Sequence, residues 1–165
     1  MSLYDLYVPP LSHGLKALSK ILQKAEDHCT ARKIDPAVLL ASRLYPDMFP
    51  LMRQVQIACD QARRGANRLA GTEPASVADT EVTFADLRAR IDATLAGLAA
   101  ITPDAFNGAE ARTISFKAGP REMSFKGGDF VKFWTLPNFY FHMTTAYAIL
   151  RHNGVEIGKT DFLGG

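Results

Sequence analysis

The chain has 165 residues, 47% of them hydrophobic and 22% charged. That length and mix fit one domain, residues 1–165, with a single core, and exclude a disordered chain, a collagen-like repeat or a disulfide-dense miniprotein. Nineteen Lys and Arg against 17 Asp and Glu leave a net charge of +2, and the longest basic cluster, Arg63-Arg64 with Arg68 a turn on, reads as a solvated helix face, so no nucleic-acid partner is expected.

Four helical patterns follow in order. From about Leu3 to Ala31, Leu11, Leu15, Leu18, Leu22 and Ala25 recur at steps of three and four, the stripe of an amphipathic helix. Pro9 and Pro10 fit a kink or first turn, and His13 and His28 read as surface residues. Asp35-Pro36 restarts the chain with a cap and a first-turn proline, predicting a short helix over 36–44. Asp47 then caps a helix running to about Leu69, with Leu51, Val55, Ala58, Ala62 and Leu69 on its inner face and Asp60 facing solvent. A polar loop covers 71–80. Thr83 to Asp86 is a weak capping box, and Phe84, Leu87, Ile91, Leu95 and Leu98 mark a third long helix.

Residues 113–116 and 122–125 alternate in polarity around Gly119-Pro120, which predicts a β-hairpin. Asp129 then caps a last helix, Phe130 to about Arg151, that is apolar almost all round. Such a helix is expected to be central in the bundle or shared with a second copy, making a homodimer one partner prediction. The pattern as a whole is an all-α bundle with one short hairpin before the last helix. No β-α-β alternation and no phosphate-loop motif appears.

No apolar run is long enough to span a membrane, so no membrane partner is expected. Met1 to Asp5 lacks the charged and apolar regions of a signal peptide. Cys29 and Cys59 stand alone, which suits two thiols in a reducing cytosol, so a cytoplasmic location is expected.

The polar residues of the last helix share one face: Thr135, Asn138, His142 and Thr145 follow at three- and four-residue steps, with Pro137 beside them. Polar groups in so apolar a helix need partners, and His142 is the candidate acid/base or ligand. Trp134, Tyr140 and Tyr147 are candidates to wall a pocket, with aromatic core as the plainer reading.

The stretch from His142 to Val155, ending Leu150-Arg151-His152-Asn153-Gly154-Val155, resembles the last helix of the DinB/YfiT-like superfamily, which reads H-x-x-x-H-R-G-Q, apolar residues, then L-R-x-x-G-V. Thr160-Asp161-Phe162-Leu163 is similar to that family's tail. More closely, the chain resembles an uncharacterised bacterial branch, a domain of unknown function. The resemblance implies a DinB/YfiT-like four-helix bundle and, in typical members, a divalent zinc or nickel ion on three histidines. Carried over position by position, only His142 keeps its imidazole; Asn138 takes the first place of H-x-x-x-H, Gln56 falls near the second-helix histidine, and Met143-Thr144-Thr145 replaces Arg-Gly-Gln. Carboxamides are weak ligands for zinc or nickel, so neither metal nor other cofactor is expected. The expected site is a metal-free polar pocket of Gln56, Asn138, His142, Thr145, Trp134 and Tyr147 that takes a small molecule or partner. The alternative is a metal-dependent enzyme like the superfamily's thiol-dependent transferases and isomerases.

Overall fold

The structure, a computed structural model, describes residues 2–165; Met1, the first residue of the segment read for a leader, lies outside them. Helix α1 spans Leu3–Arg32. Its start is closed by a reciprocal cap: the Ser2 hydroxyl accepts the Asp5 N–H at 3.2 Å, and the Asp5 carboxylate accepts the Ser2 N–H at 2.9 Å. The predicted stripe is wholly buried. Pro9 and Pro10 lie inside this helix, not at its first turn. The cap secures the turn ahead of them, and burial of Tyr7, Val8 and Leu11 offsets the hydrogen bonds that the prolines cannot donate.

Helix α2, Pro36–Leu40, is shorter than expected and capped by Asp35. Helix α3, Leu51–Leu69, begins after Pro50 with no side-chain cap. Asp47 therefore caps nothing; the α2–α3 linker holds it four residues before the helix starts. The Thr83 box works as read: Thr83 and Asp86 cap α4, Phe84–Ala99. A 3-10 turn at Pro103–Phe106 leads to strands β1, Thr113–Ala118, and β2, Arg121–Lys126, paired antiparallel with Ile114 opposite Phe125 and Phe116 opposite Met123. The hairpin lays Phe116 and Phe125 against Phe130 and Trp134, ring centres 5.2–6.2 Å apart.

The last helix is built in three pieces: α5, Gly127–Phe130, a π-helical turn at Val131–Thr135, and α6, Leu136–His152. Lys126, not Asp129, holds the cap position, so the helix begins three residues earlier than expected. Pro137 has no N–H for the Phe133 carbonyl, and the ladder widens to π spacing immediately before α6. The helix is not buried all round. Phe139, Met143, Ala146, Ile149 and Leu150 face the core, while Phe133, Tyr140 and Phe141 are 69%, 38% and 57% exposed. A short helix α7, Lys159–Phe162, folds back on α1, where Lys24 pairs with Asp161 at 2.5 Å.

Helices α3 and α6 make the most extensive contact in the molecule. Ala58, Ala62, Gly65 and Ala66 keep that face of α3 flat. Into it projects the fully buried Tyr7 of α1. Its hydroxyl donates to the Gln61 carbonyl at 2.8 Å and lies 2.8 Å from the Thr135 hydroxyl. Burial pushes the pKa of this phenol well above its ordinary value, so it remains a neutral donor. A Cβ at Gly65 would fall 1.9 Å from the Tyr7 oxygen and 2.8 Å from the Thr135 oxygen. Gly65→Ala is therefore expected to cost about 3 kcal/mol or more. Tyr7→Phe gives little rescue, because the ring carbon bearing the hydroxyl would still be 2.8 Å away. Urea unfolding of the single and double variants checks both statements.

Candidate functional site

The polar stripe of the last helix does not converge on one pocket. Thr135 is buried at the Tyr7 junction. Asn138 turns back on its own helix and donates to the Trp134 carbonyl at 2.7 Å. Thr145 likewise donates to the Phe141 carbonyl at 2.7 Å. Trp134 belongs to the aromatic cluster under the hairpin, and Tyr147 packs edge-on against Phe162 at 5.7 Å. Each is thus used locally or in packing, as the short reach of Asn and Thr and the bulk of the rings favour.

His142 is the exception. Its Nδ1 lies 2.7 Å from Oε1 of Gln54, a buried glutamine on α3. Gln54, two residues before Gln56, therefore faces the imidazole. Its own Nε2 donates to the Phe49 carbonyl at 3.0 Å, which orients the amide so that Oε1 points at the ring. An amide oxygen only accepts, so Nδ1 carries the proton and Nε2 presents its lone pair. The Phe141 ring stands edge-on to the imidazole at 5.2 Å.

Gln56 belongs to a different arrangement. It donates to Glu81 at 2.8 Å and accepts from Arg53 at 3.2 Å. Beside it, Arg90 of α4 is almost fully buried and bonds Glu81 at 2.9 Å, Asp60 at 3.1 Å and Asp79 at 3.1 Å. Asp60 is not a solvent-facing residue: it is 8% exposed and also pairs with Arg63 and Arg64. Arg53 pairs with Asp79, and Arg63 and Arg90 donate to the Ala75 and Ala78 carbonyls. These bonds strap the 71–82 loop across α3 and α4. Burial works against the charge of Glu81, but hydrogen bonds from Arg90 and Gln56 outweigh it and hold its carboxyl below the usual range. Sequence spacing carried no sign of this network, since its members come from two helices and a loop without periodicity.

Both cysteines are free and buried. Burial pushes the Cys59 thiol up to about 12, which removes it as a nucleophile at neutral pH. Among the described residues no three His, Cys, Asp or Glu side chains are placed to hold a metal ion. Gln54 Oε1 is committed to the Nδ1 proton, and the Asn138 amide nitrogen donates to its own helix.

An apolar groove lies between the α2–α3 linker and α6, lined by Leu44, Met48, Tyr140, Phe141, Thr144, Thr145 and Ala148; the Phe141 ring, which stands edge-on to the imidazole, links it to His142.

Four long helices with a hairpin before the last define a DinB-like helical bundle. The chain is similar to a crystal structure of a DinB family member protein from Shewanella denitrificans, with 46% identity over 99% of this chain and 92% of that one, and a TM-score of 0.92. Residues 3–163 match the family described as Domain of unknown function (DUF1993), and the chain belongs to that family. No curated protein matches it.

Burial first, and the Arg53 charge second, push the His142 pKa down to about 4 from 6.5. Above pH 6.5 both folded and unfolded chains keep this ring neutral, and no stability is lost. As pH falls from 6.5 toward 4 the unfolded chain takes up a proton that the folded one refuses, so stability drops by up to about 3 kcal/mol. In urea titrations between pH 7.5 and 4.5, His142→Gln is expected to remove that part of the slope.

Proposed function

We propose that the protein is a metal-free binding module for a small, largely apolar molecule bearing one protic group. The apolar portion lies in the groove of Leu44, Met48, Tyr140 and Phe141, and the protic group donates to Nε2 of His142. The observation that supports this reading is the oriented chain from the Phe49 carbonyl through Gln54 to Nδ1, which leaves Nε2 an acceptor on a ring that stays neutral at physiological pH. The two carboxamide replacements are the remains of a metal triad, with Gln54 rather than Gln56 at the α3 position. One imidazole with two neutral amides is a poor donor set for zinc or nickel, so the residues do not fit the ion and no reaction step runs through one.

Phenol serves as the probe. In ¹⁵N-detected spectra of the imidazole, the wild-type protein is expected to show Nδ1 protonated and Nε2 shifting saturably with phenol. His142→Phe is expected to weaken phenol binding at least about tenfold, as loss of one buried hydrogen bond would. A ring protonated at Nε2, or one equivalent of zinc retained after dialysis with the His142 nitrogens shifted, overturns the reading.

The exposed aromatic side of the last helix supports a second copy of the chain as partner. Tyr140 and Phe141 continue into Leu44, Tyr45 and Phe49 of the linker, all more than a third exposed. Contiguous apolar surface of this kind marks an interaction face. Pairing here closes the apolar groove over its ligand. Sedimentation at micromolar concentration is expected to give a dimer that Phe141→Asp converts to monomer; a strictly monomeric wild-type chain removes the proposal.

A further inference from the structure

The other end of α3 carries a second polar groove, roughly 20 Å along the helix from Gln54 by the 1.5 Å rise per residue. It opens between the end of α3, the 71–73 segment and strand β1, has a volume of roughly 550 Å³, and is lined by Arg68, Gly71, Thr72, Glu73, Arg112 and Lys117 among others. Three cations face one carboxylate there.

Arg68 is the unusual member. It is half-buried, and its guanidinium carbon lies 4.3 Å from the centre of the Phe116 ring. The aromatic contact engages the π-face of one partner or the other but consumes none of the five N–H donors. The neighbouring arginines are all committed. Arg63, Arg64 and Arg90 share Asp60, and Arg112 closes the end of α3 by donating to the Leu69 carbonyl. Arg68, by contrast, makes no hydrogen bond and no ion pair with any of the described residues, and its N–H donors are left facing the groove and solvent. Burial first, and the nearby Arg64 charge second, work against its own charge, and Glu73 across the groove offsets part of that. A half-buried guanidinium whose N–H donors are all uncommitted is a donor set that an anionic ligand can use.

We propose that this groove binds the phosphate of a phosphomonoester or free phosphate, with Arg68 as its anchor. A guanidinium matches two phosphate oxygens through parallel N–H bonds, and Arg112 and Lys117 supply the further positive charge that a dianion requires. Gly71, at φ +76°, lets Arg112 lie close: a Cβ there would come within 3.2 Å of its guanidinium carbon. On the groove wall the Thr113 hydroxyl, which accepts from Lys126, keeps its own proton for the polar remainder of an ester, whereas the Thr72 hydroxyl is spent on Asn67.

Trp134, the single tryptophan, lies 5.2 Å from Phe116 and so reports on this end of the molecule. The wild-type protein is titrated with glycerol 3-phosphate and, separately, with inorganic phosphate, at constant ionic strength set with sodium chloride. A saturable fluorescence change with a millimolar or tighter Kd is expected. An ester binding about tenfold more tightly than inorganic phosphate identifies the ester as the ligand, and equal affinities identify free phosphate. Arg68→Gln is expected to weaken binding at least about tenfold, as loss of a charge-assisted bidentate contact does. Lys117→Gln changes an exposed strand residue, so its fold is not at issue, and about threefold weakening is expected there. No saturable change up to about 20 mM, far above the Kd range of a working site, overturns the proposal. So does wild-type affinity in Arg68→Gln, or in Lys117→Gln should Arg68→Gln fail to fold.

Discussion

Three helices meet at one hydroxyl. Tyr7 carries α1 into the flat face of α3, and its oxygen bonds the Gln61 carbonyl and the Thr135 hydroxyl at 2.8 Å each. That contact exists only because Gly65 has no Cβ. Close approach sets the depth at which the last helix lies against α3, and hence which of its side chains reach across. It also falls at the π turn, where one extra residue per turn brings the buried Thr135 hydroxyl to the phenol. A bulkier residue at 65 would push α1 and α3 apart and unsettle the register of everything on α6.

From that junction the polar groups sort into two systems along α3. Near its start, Gln54 reaches one way to the imidazole of His142, and Gln56 reaches the other way to Glu81. Two residues on a helix are separated by about 200° of rotation, so neighbouring glutamines must serve opposite sides. The buried cation Arg90 gathers three carboxylates and so fastens the 71–82 loop to the bundle. Such a network contributes specificity of arrangement more than net stability, because desolvation of its charges offsets most of their attraction. The His142 side is different in kind: neutral, single-tautomer and bordered by apolar surface. The family relation and the Shewanella denitrificans structure establish the bundle and leave the chemistry to these residues.

The two ends of α3 also differ in how they treat charge. At the start, cations are matched: Arg53 meets Asp79 and Arg90 meets Glu81. At the end, Arg68 meets a phenylalanine ring. A protein that pairs most of its half-buried arginines and leaves one against an aromatic face has placed a donor set where only solvent or a ligand can use it.

Local signals determined most of the elements. The α1 and α3 stripes, the Asp35 and Thr83 caps and the alternating hairpin are all encoded within a few residues of where they act, through periodicity and short-range hydrogen bonds. The prolines inside α1, the absence of a cap at Asp47 and the exposed aromatics of α6 depend on what packs opposite them, and periodicity holds no such information. The candidate site follows the same division. His142 stands out in the sequence as an imidazole in an apolar helix, but that Gln54 faces it does not, because aligning one helix against another requires their relative height. Only the packed structure supplies that height, through the Tyr7–Gly65 contact, and with it the choice of Gln54 over Gln56 and the partnerless position of Arg68.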